Sequence, residues 1–346
     1  MAFAEGPAVR VNTGVRIGNL MERDALKVKL GNGIEVSGLV EVRLDPRRLE
    51  AGVLNCISHA HSDHLPSSMK TNKAIASAVT LRCASARVKK HIEPERSEHI
   101  EMLNAGHMAG STMFLVDGGE RLLYTGDMSP RDRFGMEGAR PVKVDTLIIE
   151  ATYGQREYVF PPCEEMAGVM RDWIEDSMHQ GYSVALFTYP LGKSQRLLKM
   201  LEDMQPYLHE QVLEATRLVE EAEGGLCYRD CAEHDHRHPS VMICPMNGRS
   251  SISFERWCKA NDGKVRTAAV SGWAVNRWYA RRMGVSEGFA ISDHADYHDL
   301  LGFAKACEPK RILIVHGSGE DLIEDLRKEG FEARNLVRGQ HALSDF

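Results

Sequence analysis

The sequence predicts an α/β fold: a layered domain interrupted by a second α/β unit, after which the chain returns to finish the first. Three observations carry that reading. Short β-branched or apolar runs bounded by Gly, Pro, Asn and Asp dominate the part up to Gln155. A more helical block extends from about Pro161 to Lys259. Strand–helix alternation resumes after about Val265, as expected if the chain rejoins a layered domain.

The early strands are expected at Ile34–Val42, Val53–Ile57, Thr112–Val116, Leu122–Thr125 and Thr146–Ile149, where residues that fit a pleated surface cluster. Over Glu164–Gln180, Met166, Val169, Met170, Trp173, Ile174 and Met178 recur at helical spacing and read as core packing, with Gly181 as the stop. Ser183–Tyr189 reads as a buried strand, followed by a helix through Leu197, Leu198 and Leu201. Beyond it, strands are expected at Val265–Val270, Phe289–Ile291 and Arg311–Val315. Helices are expected near Ala274–Met283, Asp296–Cys307 and Glu320–Glu329. The divisions fall at 1–155, 156–264 and 265–346.

The 346 residues are 43% apolar and 27% charged, ordinary values for a soluble globular protein. No apolar run approaches the roughly 20 residues of a membrane span. The opening MAFAEGPAVRVNTG lacks a basic region followed by an apolar core, so a cytoplasmic location without a secretion signal is expected. The eight cysteines form no evident framework and read as reduced thiols. A net charge of −6 excludes a protein coated in positive charge for non-specific nucleic-acid binding. It leaves room for a nuclease, because bound cations create a local positive site on an acidic body.

The strongest chemical signal is Ser58-His59-Ala60-His61-Ser62-Asp63-His64, directly after the apolar run Val53–Ile57. A strand ending in a turn gathers side chains at one rim of a sheet. Three imidazoles and a carboxylate crowded together need something to offset their desolvation, and divalent metal does so. Imidazole and carboxylate suit zinc, and the absence of thiols leaves manganese or iron open. Two later elements supply what a two-metal site still lacks. His107 follows the short run Ile100–Leu103, and Asp127 follows Leu122–Tyr124 as a carboxylate placed to bridge two ions.

In this order the motifs resemble those of the metallo-β-lactamase superfamily. The resemblance implies an αββα sandwich, and it makes Asp45, at the end of Leu39–Leu44, a supporter of the ligands from behind. Leu147–Gly154 with Glu150, Ile291–Asp296 with His294, and Ile314–Gly317 with His316 resemble the three motifs of the β-CASP nuclease branch, whose small α/β domain is inserted into the sandwich. By that resemblance one ion is held by His59, His61 and His107, and the other by Asp63, His64 and His316. Asp127 lies between them, and His294, oriented by Glu150, is the acid that protonates the leaving oxygen. The implied activity is phosphodiester hydrolysis with two divalent ions, zinc or else manganese.

For substrate, the segments around Gly192-Lys193-Ser194 and Ser271-Gly272-Trp273 resemble short ligase-associated DNA exonucleases of the branch, whereas a histidine at position 316 is usual for RNA-processing members. A DNA exonuclease is the preferred expectation and an RNA-processing nuclease the alternative. A small-molecule hydrolase such as a thioesterase or glyoxalase fits the first motifs equally well, but has no need of the inserted block. Lys193 and Ser194 open a helix, and Arg277, Arg281 and Arg282 recur near helical spacing. Either group is a candidate for phosphate contact or a solvated helix face. One cluster lies outside the family pattern: Cys227, Cys231, His234, His236 and His238 are candidates for a separate structural zinc, with a polar surface loop as the alternative reading.

Overall fold

The computed structural model describes residues 26–233, 239–317 and 319–336. The first domain has two facing sheets. One is ordered Lys27–Gly31, Gly33–Ser37, Val42–Leu44, Leu54–Cys56. The other is ordered Glu332–Asn335, Arg311–Gly317, Thr146–Ala151, Arg121–Tyr124, Thr112–Asp117, Ile100–Asn104.

The period of two in the second sheet decides the layering. Phe114, Val116, Leu122, Tyr124, Ile148, Leu313 and Val315 meet Val28, Val36, Val42 and Leu44 of the first sheet. The alternate residues Met113, Leu115, Leu123, Leu147, Ile149, Ile312 and Ile314 point the other way. They are covered by Leu300 and Phe303 on one late helix and by Leu322 and Leu326 on another. Helix α1 (Ala78–Val88) packs Leu81 and Ala84 with Leu49 and with Ile57, the residue that follows the last strand of the first sheet. The result is an αββα sandwich.

The second unit is a parallel sheet ordered Arg229–Asp230, Tyr207–Leu208, Val241–Pro245, Ser183–Thr188, Val265–Val270, Glu287–Phe289. Its central strands are buried along their length, as sheets covered on both faces must be. Helices α2 (Cys163–His179), α3 (Lys193–Met200) and α4 (Glu210–Glu223) pack on Val184, Leu186 and Ile243. On the opposite face, α5 (Ile252–Ala260) packs Phe254 and Trp257 on Phe187 and Cys244. The short α6 (Trp278–Met283) precedes the last strand of this sheet. The chain then rejoins the sandwich through α7 (Tyr297–Ala306) and α8 (Glu320–Lys328).

Three sequence expectations change. Val265–Val270 pairs with Ser183–Thr188, Ser183 opposite Val265, so it belongs to the second unit and the return comes after Phe289 instead of at 265. A buried apolar run announces a strand without saying which sheet it joins. Ile34–Val42 is broken, because the chain turns between Ser37 and Val42 and leaves Leu39 exposed at 72%. On α2, Val169 is exposed at 50%, while Ala167, Met170 and Ile174 carry the buried face. No helix among the described residues is long and apolar enough to cross a membrane, and no disulfide joins the cysteines among them.

Candidate metal centre

The turn after Leu54–Cys56 delivers Ser58 to His64 to the rim of the sandwich, and the loops after Ile100–Asn104 and Arg121–Tyr124 bring His107 and Asp127 beside it. Two of these loops require glycine. Gly106 has φ +65°, and a Cβ there would lie 2.4 Å from Ser129 O. Gly126 has φ +53°, and its Cβ would lie 2.7 Å from Ser58 Cβ. Asp45 and His316 also adopt left-handed backbone, at φ 46° and 53°.

Each buried histidine gives one ring hydrogen to a fixed acceptor and turns the other nitrogen inward. Asp45 organises the first pair: its Oδ1 accepts from Ser58 N at 2.6 Å, and its Oδ2 accepts from Ser58 Oγ at 2.6 Å, His64 Nδ1 at 2.7 Å and Tyr124 OH at 2.7 Å. With its own hydrogen given to Asp45, Ser58 Oγ accepts from His59 Nδ1 at 3.1 Å. His61 Nε2 donates to Leu191 O at 3.1 Å, and His107 Nδ1 donates to Asp293 O at 3.1 Å. Bare nitrogens remain on His59, His61 and His107, while His64 turns its Nε2 toward Asp127 Oδ1 at 3.4 Å.

That arrangement fits a cation. His59 Nε2 is buried without a hydrogen-bond partner, and His61 Nδ1 faces His107 Nε2 at 3.1 Å. Two lone pairs at that separation repel unless positive charge lies beside them. Donor atoms of His59, His61, His107 and Asp127 all lie within 4.8 Å of one another. Burial, with the neighbouring His64 ring next, holds His59 well below the usual histidine range. Burial and then the His294 ring do the same for His107, so both are held in the neutral form that ligates metal.

Asp127 faces two ways. Its Oδ2 is 3.5 Å from His59 Nε2 and 3.9 Å from His107 Nε2, while its Oδ1 is 3.4 Å from His64 Nε2. On that second side Asp63 Oδ2 is 3.6 Å from His64 Nε2, and the His316 ring centre is 4.8 Å from that of His64. This side is more open: the Asp63 side chain is 65% exposed. Burial opposes protonation of His64, but the carboxylates of Asp127 and Asp45 outweigh it and hold the ring well above its usual range, a field that equally favours a metal cation.

Beside the donor set stands the predicted acid pair. His294 Nδ1 lies 3.0 Å and 3.1 Å from the two oxygens of the fully buried Glu150, and its Nε2 is 4.0 Å from Asp127 Oδ2. Backbone N–H groups of Met128 and Thr152 hold the Glu150 carboxylate at 2.7 Å and 3.3 Å. Burial opposes charge on His294, but Glu150 and then Asp127 raise it above the usual range.

A cleft of about 290 Å³ opens over these residues, lined also by Arg87, Tyr153, Tyr189 and Trp273. Sequence reasoning missed Ser58, Tyr124, Leu191 and Asp293 as supports, and Arg87, Tyr153 and Tyr189 as cleft residues. Isolated polar or aromatic residues carry no spacing signal. Two predicted phosphate contacts are corrected. Lys193 lines the cleft but is buried, with Nζ 3.0 Å from Asp293 Oδ2 and 3.1 Å from Ile291 O, so its charge is paired within the protein. Ser194 is fully buried and donates to Tyr189 O at 2.7 Å. Arg277 and Arg281 are exposed and unpaired among the described residues. Arg282 lies over the Trp278 ring at 5.5 Å. Of the separate cysteine–histidine cluster, His234, His236 and His238 lie outside the described residues. Burial raises the Cys231 thiol to about 11, which disfavours the thiolate that binds zinc.

Fold and site together define an αββα sandwich with a candidate metal centre at its rim. The Zn-dependent metallo-hydrolase RNA specificity domain matches residues 278–335. A probable DNA ligase of Opitutus terrae is 34% identical over 298 residues, 80% of this chain and 28% of that protein. The cleavage and polyadenylation specificity factor subunit 3 of Dictyostelium discoideum is 25% identical over 324 residues, 75% of this chain and 41% of that protein. A solved structure of a protein of unknown function from Enterococcus faecalis V583 superposes with a TM-score of 0.60 at 12% identity, covering 91% of this chain and 99% of that one. These matches indicate the metallo-β-lactamase superfamily, in its β-CASP branch. It spans under half the length of the two curated relatives.

Proposed function

We propose that this chain is a two-metal nuclease that hydrolyses phosphodiester bonds, acting as an exonuclease on single-stranded DNA ends. The observation that carries the reading is the His294–Glu150 pair, 3.0 Å apart, set against Asp127 in the same cleft as the metal donors. Small-molecule hydrolysis has no need of a second unit closing over the centre, whereas a leaving alkoxide of a nucleotide needs an acid there.

His59, His61 and His107 would hold one ion, and Asp63, His64 and His316 the other, with an oxygen of Asp127 toward each. When bound, divalent ions supply the Lewis acidity that activates water and offsets charge growing on phosphorus. The donor set suits zinc, with manganese as the substitute. The chain's own residues do the rest. Asp45 and Ser58 fix the ring orientations. Glu150 accepts the Nδ1 hydrogen of His294 and leaves its Nε2–H directed into the cleft, from which it protonates the leaving oxygen. Tyr189, exposed at 47%, and Trp273 offer ring faces on which unpaired bases stack, and Arg87 offers charge for the backbone.

The DNA assignment draws support from the relative named for DNA joining, whose 34% identity exceeds the 25% of the messenger-RNA factor. The RNA reading is favoured by the description of the domain matched over residues 278–335. End-labelled single-stranded DNA and RNA of one sequence, incubated with the metal-loaded protein and with a His294→Ala control, decide between them. Stepwise shortening of DNA alone is the expected result. Cleavage of RNA alone would move the chain to RNA processing. Cleavage of neither, with turnover of simple thioesters, would replace the nuclease reading by a small-molecule hydrolase.

A further inference from the structure

Two of the acceptors that orient the metal-facing histidines come from outside the strands that carry those histidines. Leu191, which takes the hydrogen of His61, lies in the second unit, and Asp293, which takes that of His107, lies on the loop by which the chain leaves it. Both bonds are needed to leave His61 Nδ1 and His107 Nε2 bare and facing each other at 3.1 Å.

Lys193 ties these two segments together. It stands two residues after Leu191, is 4% exposed, and binds both Asp293 Oδ2 and Ile291 O. From the sandwich side, the buried Arg133 donates to Ser292 O, to Gly106 O at 2.7 Å and to Asp293 O at 3.3 Å. The loop from Ile291 to His294 is thus gripped by two buried cations. Burying two positive charges beside one carboxylate is costly, and a purely structural contact of this size is served as well by apolar packing. None of the steps proposed for phosphodiester hydrolysis uses either cation.

We propose that Lys193 is a positioning residue through which docking of the second unit sets metal affinity: the ion on His59, His61 and His107 is held tightly only while Lys193 pins the Leu191 turn to the Asp293 loop. The inference rests on the reading of this cluster as a metal centre. Coupling of this kind is reciprocal, so loading the site also tightens the docking of the two units.

The test is zinc affinity by chelator competition, with melting of the metal-free protein in parallel, for the wild type, Lys193→Met, the double variant Lys193→Met/Asp293→Leu, and Arg82→Ala. Loss of a support behind a ligand costs about 10- to 100-fold in metal affinity, and that loss is expected for Lys193→Met. The double variant removes both charges, so the metal-free melt is expected to recover while affinity stays low. Recovery of both would show a merely structural pair and overturn the proposal. Should Lys193→Met fail to fold, the double variant carries the test alone. Arg82 donates to Leu218 O at 2.7 Å and pairs with Glu221 at 2.9 Å, bridging α1 to α4 away from the loop. An exposed bridge contributes little, so Arg82→Ala is expected to keep affinity within about twofold. A loss there equal to that of Lys193→Met would make the effect one of general docking and overturn the role of Lys193. Unchanged affinity in both Lys193 variants, with a zinc-binding wild type, overturns this proposal alone, whereas a wild type that takes up no zinc brings down the metal centre itself.

Discussion

On one side of Asp127, His59, His61 and His107 each give a hydrogen to a fixed acceptor, whereas on the other side His64 has such a support in Asp45 and Asp63 is 65% exposed. The first side is finished before anything binds, because its bare nitrogens already face one point. The second is left open, on the side where the proposed function has a phosphodiester enter. The contrast teaches that preorganisation is concentrated on the buried donor set, and looseness on the side open to solvent, which the proposed function assigns to the substrate. It also predicts unequal metal affinity, with the first side loading at lower zinc concentration.

The residue common to both sides breaks the comparison most severely. Asp127→Ala is expected to lower nuclease turnover by roughly 10⁴-fold or more, the scale seen when a member of an interdependent catalytic set is removed. Metal analysis should show both ions weakened, since its two oxygens face opposite donor sets. Retention of one ion at wild-type affinity would mean that Asp127 serves a single site.

His294 belongs to neither side, so His294→Ala is expected to cost about 10²- to 10⁴-fold in turnover with metal content unchanged. The pH profile carries a sign. An acid acts while protonated, so activity attributable to His294 is present below its pKa and lost as pH rises through it. Burial lowers that pKa, but the Glu150 carboxylate raises it above the usual range. Glu150→Gln removes the strongest raising influence, so the alkaline limb of the profile should move to lower pH. An unmoved limb would assign it to another group.

Asp45→Asn sharpens the contrast between the sides. Asp45 binds Ser58, His64 and Tyr124, so its loss reaches His64 directly and His59 only through the Ser58 hydroxyl. About 10- to 100-fold weaker binding of the second ion is expected, with a smaller effect on the first. Titration with zinc in two resolved steps would show it.

The same contrast explains what was legible in the sequence. His59, His61, Asp63 and His64 lie within six positions after an apolar run, and chemistry crowded on one short turn is visible without coordinates. Asp45, Glu150 and His294 were legible through motifs that resemble a known branch. Leu191 and Asp293 act through backbone carbonyls, which every residue has, so no side-chain pattern marks them. A helix start predicts exposure for Lys193, as a solvent- or phosphate-facing cation. Its burial depends on a loop 98 positions away. The strand Val265–Val270 was found, but its partner was not, since pairing is a long-range property.

The smallest expected effect concerns the approach to the open side. Arg277 and Arg281 are exposed and unpaired among the described residues, next to Trp278 with half its surface exposed. If these guanidinium groups contact phosphate, each released counterion contributes to the salt dependence of binding. Arg277→Ala and Arg281→Ala are therefore expected to weaken strand binding uniformly across sequences and to reduce the logarithmic salt slope by about 1 each. Turnover at saturating substrate should stay unchanged, because neither side chain lines the cleft over the metal donors. An unchanged slope would mean that the two arginines only solvate α6, and that the strand enters past Arg87 on α1 instead. The same measurement on Arg87→Ala then separates the two routes, since only a residue on the path of the backbone lowers the slope.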